Sequence, residues 1–219
     1  LESLKASLSS QRAEKEQVMA ELKQQQGEVE KLKMSLEEER AILVAQETAI
    51  QKAIQMEKKR IEEQQRKTTQ NNSGNVNVPP VSSGYFTRPA AGVVTSEFGK
   101  RSFDIHYGID IANTSTVPIV AAADGVVMRS YYSQSYGECI MISHSINGKV
   151  FTTVYAHMRY GSRMVHPYQF VKKGQIIGYM GATGYVRGKN PQQLHFELHE
   201  GEWNQEKTNA VNPRKYISF

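Results

Sequence analysis

The apolar positions of the chain follow two different spacings, and the change between them divides the sequence. From Leu1 onward they recur every seven residues. One heptad position holds Leu1, Leu8, Leu22, Val29, Leu36, Leu43 and Ile50, broken only by Lys15. A second holds Leu4, Val18, Leu32 and Ala53, interrupted by Gln11, Gln25, Glu39 and Gln46. Such a repeat predicts an N-terminal α-helical coiled-coil arm over residues 1–68, with one strong seam and one leaky one. Good helix formers dominate the stretch, which has no proline and a single glycine, Gly27. Unbroken, it would reach roughly 100 Å at about 1.5 Å per residue.

The pattern then stops. Residues 69–84 are Asn, Ser, Gly and Pro-Pro with no periodicity, and predict a flexible linker. Beyond it come short apolar or alternating runs separated by glycine-containing turns: Val117–Ala123, Gly125–Tyr131, Glu138–His144, Val150–Met158, Gln175–Met180 and Leu194–His199. A period of two is that of a half-buried strand. Residues 85–219 are therefore expected to form an all-β domain, mostly antiparallel, long enough to bury a core.

Charge is unevenly placed. Residues 1–68 carry 13 Lys+Arg and 13 Asp+Glu, so the whole excess of +5 lies in the remainder. A basic second half suits an anionic partner: nucleic acid, a membrane surface or a cell-wall polymer. Cys139 is the only cysteine, which excludes an intrachain disulfide and a thiol-rich metal site; its apolar neighbours make it a core residue. No run of apolar residues is long enough to span a membrane. The chain starts in mid-pattern at Leu1, and a fragment of a longer protein is expected.

Three strands carry polar-face histidines. In Ile105–Ile111 the odd positions are apolar or aromatic, so His106 and Asp110 share the other face with Gly108 between them. In Thr153–Met158, alternation puts His157 with Thr153 and Tyr155. In the segment ending the strand list, Gln193, His195, Glu197 and His199 share one face and Leu194, Phe196 and Leu198 the other. Taken singly, each is what an ordinary solvated strand face would show. Three such strands in one domain point to a metal site, without saying which three residues bind. His144 and His166 read as structural and solvent-exposed respectively, and His199 lies about 13 Å along the strand from His195, too far to share an ion with it. Glu197 could orient a ligand from behind. Tyr107, Tyr155, Tyr185 and Trp203 could line a groove, though core packing suits most of them.

The order of His106-Tyr107-Gly108-Ile109-Asp110, Tyr155-Ala156-His157-Met158 and Leu194-His195-Phe196-Glu197, with Val171–Gly184 between the last two, resembles the lysostaphin/LytM-type zinc peptidases of peptidoglycan. The resemblance covers about residues 85–219. It implies Zn2+ held by His106, Asp110 and His195 with water in the fourth place. It implies that His157 is one of two histidines that handle protons or stabilise the tetrahedral oxyanion. The other would begin a His-x-His pair, and here that position is Gln193. An amide donates a hydrogen bond to an oxyanion but does not titrate as a base near neutral pH. Three readings stay open: a slow zinc endopeptidase of bacterial peptidoglycan, a position changed by engineering, or a degenerate peptidase domain that binds wall or activates another hydrolase. Either natural reading implies an extracytoplasmic, secreted or wall-associated protein. The implied partners are the peptidoglycan peptide and, through the coiled coil, a membrane or divisome protein or a second copy; a nucleic acid is not expected. A weaker likeness of Ala121–Val127 and Val171–Gly178 to lipoyl-type hairpins lacks a lysine at the tip.

Overall fold

A computed structural model of the chain describes residues 2–70, 84–101, 104–186 and 192–219. Residues 71–83, most of the expected linker, lie outside the described residues. The first element is one helix, α1 (Glu2–Gln70). It divides at Ala41 and Ile42 into two compact units. Up to Ala41 the helix stands as one unit, with Val18, Leu22 and Leu36 half exposed. From Ile42 onward it belongs with the β-rich remainder. There Ile42, Gln46, Ala49, Ile50 and Ala53 are all buried, and their spacing is one face of an α-helix. Among the described residues, no helix is long and apolar enough to cross a membrane.

Among the described residues twelve strands follow: β1 (Val93–Ser96), β2 (Gly99–Lys100), β3 (Ile105–His106), β4 (Ile109–Ala112), β5 (Pro118–Val120), β6 (Gly125–Ser133), β7 (Gly137–Ile146), β8 (Lys149–Met158), β9 (Phe170–Val171), β10 (Ile176–Tyr179), β11 (Gln193–Glu200) and β12 (Ala210–Val211). The main sheet runs β1-β4-β11-β8-β7-β6-β9, with β12 also on β11, and its pairings are antiparallel. β10-β5 and β2-β3 form two small ribbons. The short apolar or alternating runs thus become strands of a mostly antiparallel β domain, as expected.

Alternation gives the sheet two apolar faces. One carries Ile109, Ile111, Val127, Ile140, Ile142, Tyr155, Leu194, Phe196 and Leu198, and packs on the β5-β10 layer through Ile119 and Ile177. The other carries Val126, Met128, Cys139, Met141 and Val154, and is covered by Ile42, Ala49 and Ala53 of α1 and by Trp203. Each large aliphatic side chain buried this way contributes about 1.5–3 kcal/mol. The helix is further tied to the sheet by Gln46, which donates to Glu202 at 2.6 Å, and by Glu57, which accepts from the Ser145 hydroxyl and from the Asn147 amide at the β7–β8 turn.

Residues 105–111 are not one strand. The chain pairs with Gly99 through His106, breaks at Tyr107-Gly108, and resumes as β4. The reason is crowding. A Cβ at Gly108 would lie 2.5 Å from the Phe196 carbonyl oxygen and 2.8 Å from His195 Cε1. Only glycine lets the backbone pass this close to β11.

Candidate active site

Asp110 on β4 lies directly opposite His195 on β11, whose next partner across the sheet is Ala156 on β8. His106 enters from the short β2-β3 ribbon. The three side chains meet: His106 Nε2 lies 3.1 Å from Asp110 Oδ1 and 3.0 Å from His195 Nδ1, and His195 Nδ1 lies 2.8 Å from Asp110 Oδ1. All three residues are at most 9% exposed. They are the one group of three such side chains within ligand reach of each other among the described residues.

Each is held from behind. His106 Nδ1 donates to the Glu97 carbonyl oxygen at 2.8 Å, and His195 Nε2 donates to Glu197 Oε1 at 3.0 Å. Both partners only accept, so the remaining nitrogen of each ring turns its lone pair to the common centre. Asp110 Oδ2 accepts from Arg101 at 2.9 Å, leaving Oδ1 to the same centre. A proton on either nitrogen bridges one pair and leaves a third acceptor facing it. One cation satisfies all three. Two imidazole nitrogens and a carboxylate oxygen are zinc donors, and ligand bonds of 2.0–2.2 Å set tetrahedral edges of about 3.3 Å. The observed edges are slightly shorter, so the donor set fits the ion.

The electrostatics agree. Burial alone would raise the pKa of Asp110, but hydrogen bonds from His106 and His195 outweigh it and hold the carboxyl well below its usual range. Burial would likewise raise Glu197, yet the Lys207 charge and the hydrogen bonds of His195 and His199 keep it far below normal. Burial would lower His195, and its two carboxylate partners raise it instead. Both carboxylates stay ionised, Asp110 beside Arg101 and Glu197 beside Lys207, and Asp110 Oδ1 is left facing the two imidazoles.

His157 requires a correction to the alternation argument. Thr153 and Tyr155 point away from the face that carries Asp110 and His195, and strict alternation would take His157 with them. His157 instead has φ of +60°, and the β7–β8 register slips between Glu138 and Ile140. A left-handed backbone there is uncommon for a residue with a side chain and reorients the ring. The ring centroid lies 5.9 Å from that of His195. Its amide donates to the Tyr136 carbonyl at 2.7 Å and its Nδ1 to the Thr183 carbonyl at 2.9 Å. Burial, followed by the neighbouring His195, pushes its pKa down to about 4. The ring is thus neutral at pH 7, with Nε2 unprotonated.

Gln193 opens β11, opposite Ala112, with its backbone N–H donating to the Gly181 carbonyl at 2.8 Å. It is buried, on the His195 side of the strand, two residues or about 7 Å away. His144 is buried away from this cluster and His166 is exposed. His199 reaches the cluster through Glu197 Oε2, at 2.8 Å. Tyr155 and Trp203 are buried in the two cores, while Tyr185 is 68% exposed. Sequence reasoning missed Arg101, Tyr136 and Lys207. Tyr136 stacks on His195 with centroids 6.3 Å apart and donates to Glu197 Oε1 at 2.9 Å. Nothing local in the sequence marks Tyr136 or Lys207; Arg101 sits in the segment leading into His106.

The fold is a mostly antiparallel β domain that carries a buried His/Asp/His cluster able to hold a metal ion. Residues 104–213, half of the chain, match the model of Peptidase family M23, and the chain belongs to that family. Over 93 residues it is 40% identical to the peptidoglycan DD-endopeptidase ShyC of Vibrio cholerae, covering 42% of this chain and 20% of that protein. Over 130 residues it is 36% identical to the murein hydrolase activator NlpD of Salmonella dublin, covering 59% and 30%. Lysostaphin, an antimicrobial peptidase from Staphylococcus simulans, superposes with a TM-score of 0.49 at 25% identity, over 56% of this chain and 48% of that one. The chain spans less than a third of the length of the two curated relatives.

Proposed function

We propose that this chain is a zinc-dependent endopeptidase that hydrolyses peptide bonds of bacterial peptidoglycan, working outside the cytoplasm. The observation that carries the reading is the convergence of three acceptors, His106 Nε2, Asp110 Oδ1 and His195 Nδ1, each within 3.1 Å of the others. Zinc, when bound, would polarise the scissile carbonyl and acidify a water. His106, Asp110 and His195 would hold it, and the Glu97 carbonyl, Arg101 and Glu197 fix their orientation. His157 supplies an unprotonated Nε2 that accepts a proton and can return it to the leaving amine. The amide of Gln193 donates an N–H to the developing oxyanion, which an uncharged side chain can do without titrating. The basic surplus of the β domain favours contact with anionic wall polymers. The test is digestion of purified sacculi by the zinc-loaded chain. Soluble muropeptides that disappear with a chelator support the reading; digestion that persists without metal contradicts it.

A second reading is favoured by Gln193, which stands where the zinc peptidases of the resemblance have a histidine, and by the similarity to a protein named as a murein hydrolase activator. Here the domain binds wall or activates another hydrolase, with the α1 seam at Val18, Leu22 and Leu36 docking on a membrane or divisome partner, or on a second copy as a coiled coil. Sacculi that the chain binds but does not dissolve, and that an amidase then digests faster, would select it.

A further inference from the structure

Glu197 is wholly buried and is the junction of the site. Its Oε1 accepts from His195 Nε2 at 3.0 Å, from the Tyr136 hydroxyl at 2.9 Å and from the Lys207 ammonium; its Oε2 accepts from His199 Nε2 at 2.8 Å. Lys207 therefore shares one oxygen with the imidazole that faces the metal position. It also donates to the Tyr136 hydroxyl, and that ring stacks on His195. Its ammonium lies 4.7 Å from the centroid of the Tyr136 ring and 5.8 Å from that of Tyr107. The lysine itself is fixed in the loop between β11 and β12. It adopts φ of +54°, its amide donates to the Asn204 carbonyl at 3.0 Å, and its carbonyl accepts from the Ala210 amide at 3.1 Å. Asn209 anchors the same loop by donating to the Glu200 and Glu202 carbonyls at 3.2 and 2.6 Å, while its Oδ1 meets His199 Nδ1 at 3.1 Å.

We propose that Lys207 is a positioning residue for the metal site, acting on His195 along two routes, through the Glu197 carboxylate and through the Tyr136 ring. The inference rests on the metal-binding reading above. A counter-charge for a buried carboxylate could sit on either oxygen; this one sits on the oxygen that orients the ligand and is clamped between two rings. Partners behind a metal ligand commonly carry a tenfold or larger share of metal affinity. Replacing Lys207 frees Glu197 Oε1 to turn, and with it His195 Nδ1.

The experiment measures Zn2+ affinity of the purified chain by chelator competition, together with the visible absorption of the Co2+-loaded chain, for wild type and K207M. Weaker zinc binding by about tenfold, with displaced Co2+ bands, is expected. Equal affinity and superimposable spectra, with only a lower melting temperature, would overturn the inference and leave the metal site standing. A wild-type chain that binds neither ion overturns the metal reading itself, and this inference with it. Should K207M not fold, K207N, whose short side chain suits the left-handed backbone and does not reach Oε1, is read in the same way.

Discussion

His144 and His195 are both buried strand histidines of one sheet, and they behave oppositely. His144 Nδ1 donates to the Asp124 carbonyl at 2.9 Å, and Nε2 lies 2.7 Å from the Thr153 hydroxyl. That hydroxyl lies 3.0 Å from the Tyr155 hydroxyl, which accepts from the Ala122 amide at 2.8 Å. One carbonyl accepts and one hydroxyl can donate, so a neutral ring closes the network. Burial accordingly pushes the His144 pKa down to about 4. His195 meets acceptors at both nitrogens, Asp110 and Glu197, and a third acceptor in His106. Both are buried, at 0% and 9% exposure; the partners differ. A histidine with one donor and one acceptor is part of the core, while a histidine walled by acceptors asks for a cation.

The largest effect that could break this contrast is at a proposed ligand. H106A should lose stably bound zinc, and wall digestion should fall by more than about a hundredfold, since even partners behind a ligand are worth 10–100-fold. Retained zinc and activity would end the distinction between the two histidines. H157A should keep its zinc while turnover drops by about 10²–10⁴-fold, the usual share of a general acid–base group. Metal analysis and sacculus digestion on one preparation separate these outcomes.

His144 should show its character in stability. Its folded pKa of about 4 lies below the ordinary 6.5, so its contribution is full above pH 6.5 and is lost as pH falls toward 4, where the unfolded chain takes up the proton. The shift corresponds to an acid destabilisation on the order of 3 kcal/mol. Urea midpoints of the metal-free chain across that window should fall for the wild type and fall less for H144Q, while zinc content at pH 7 is the same in both. A variant that unfolds no less steeply would remove His144 from the account. The smallest expected effect is at Gln193. Q193H adds a titrating group beside His195, and turnover should rise by up to about tenfold. No change would mean that the amide already meets the oxyanion's need.

Much of the architecture could be read from the chain. The runs from Gly125, Glu138, Val150 and Leu194 became the central strands because each is short, apolar or alternating, and bounded by turn residues, the first two being apolar on both faces. The pair His106 and Asp110 could be placed on one face, but not the break at Gly108, which arises from the approach of Phe196 and His195 some ninety residues later. His157 defied its own alternation because a single positive φ turns it, and no neighbouring residue type announces that. Lys207 and Tyr136 meet Glu197 through loops folded back on β11, so no spacing reveals them. On α1 the heptad seam was legible, yet Leu43 on it is 49% exposed while Ile42 beside it is fully buried. The sheet face, with Met141 and Trp203, decides which stripe of the helix turns inward.

The central claim is met most directly by zinc stoichiometry of the chain after equilibration with excess zinc and removal of loosely held ion, wild type beside D110A. One zinc per wild-type chain and none in D110A is the result predicted. A wild type without zinc, or a D110A chain that holds it as firmly, would contradict the claim that these three side chains form a cation site.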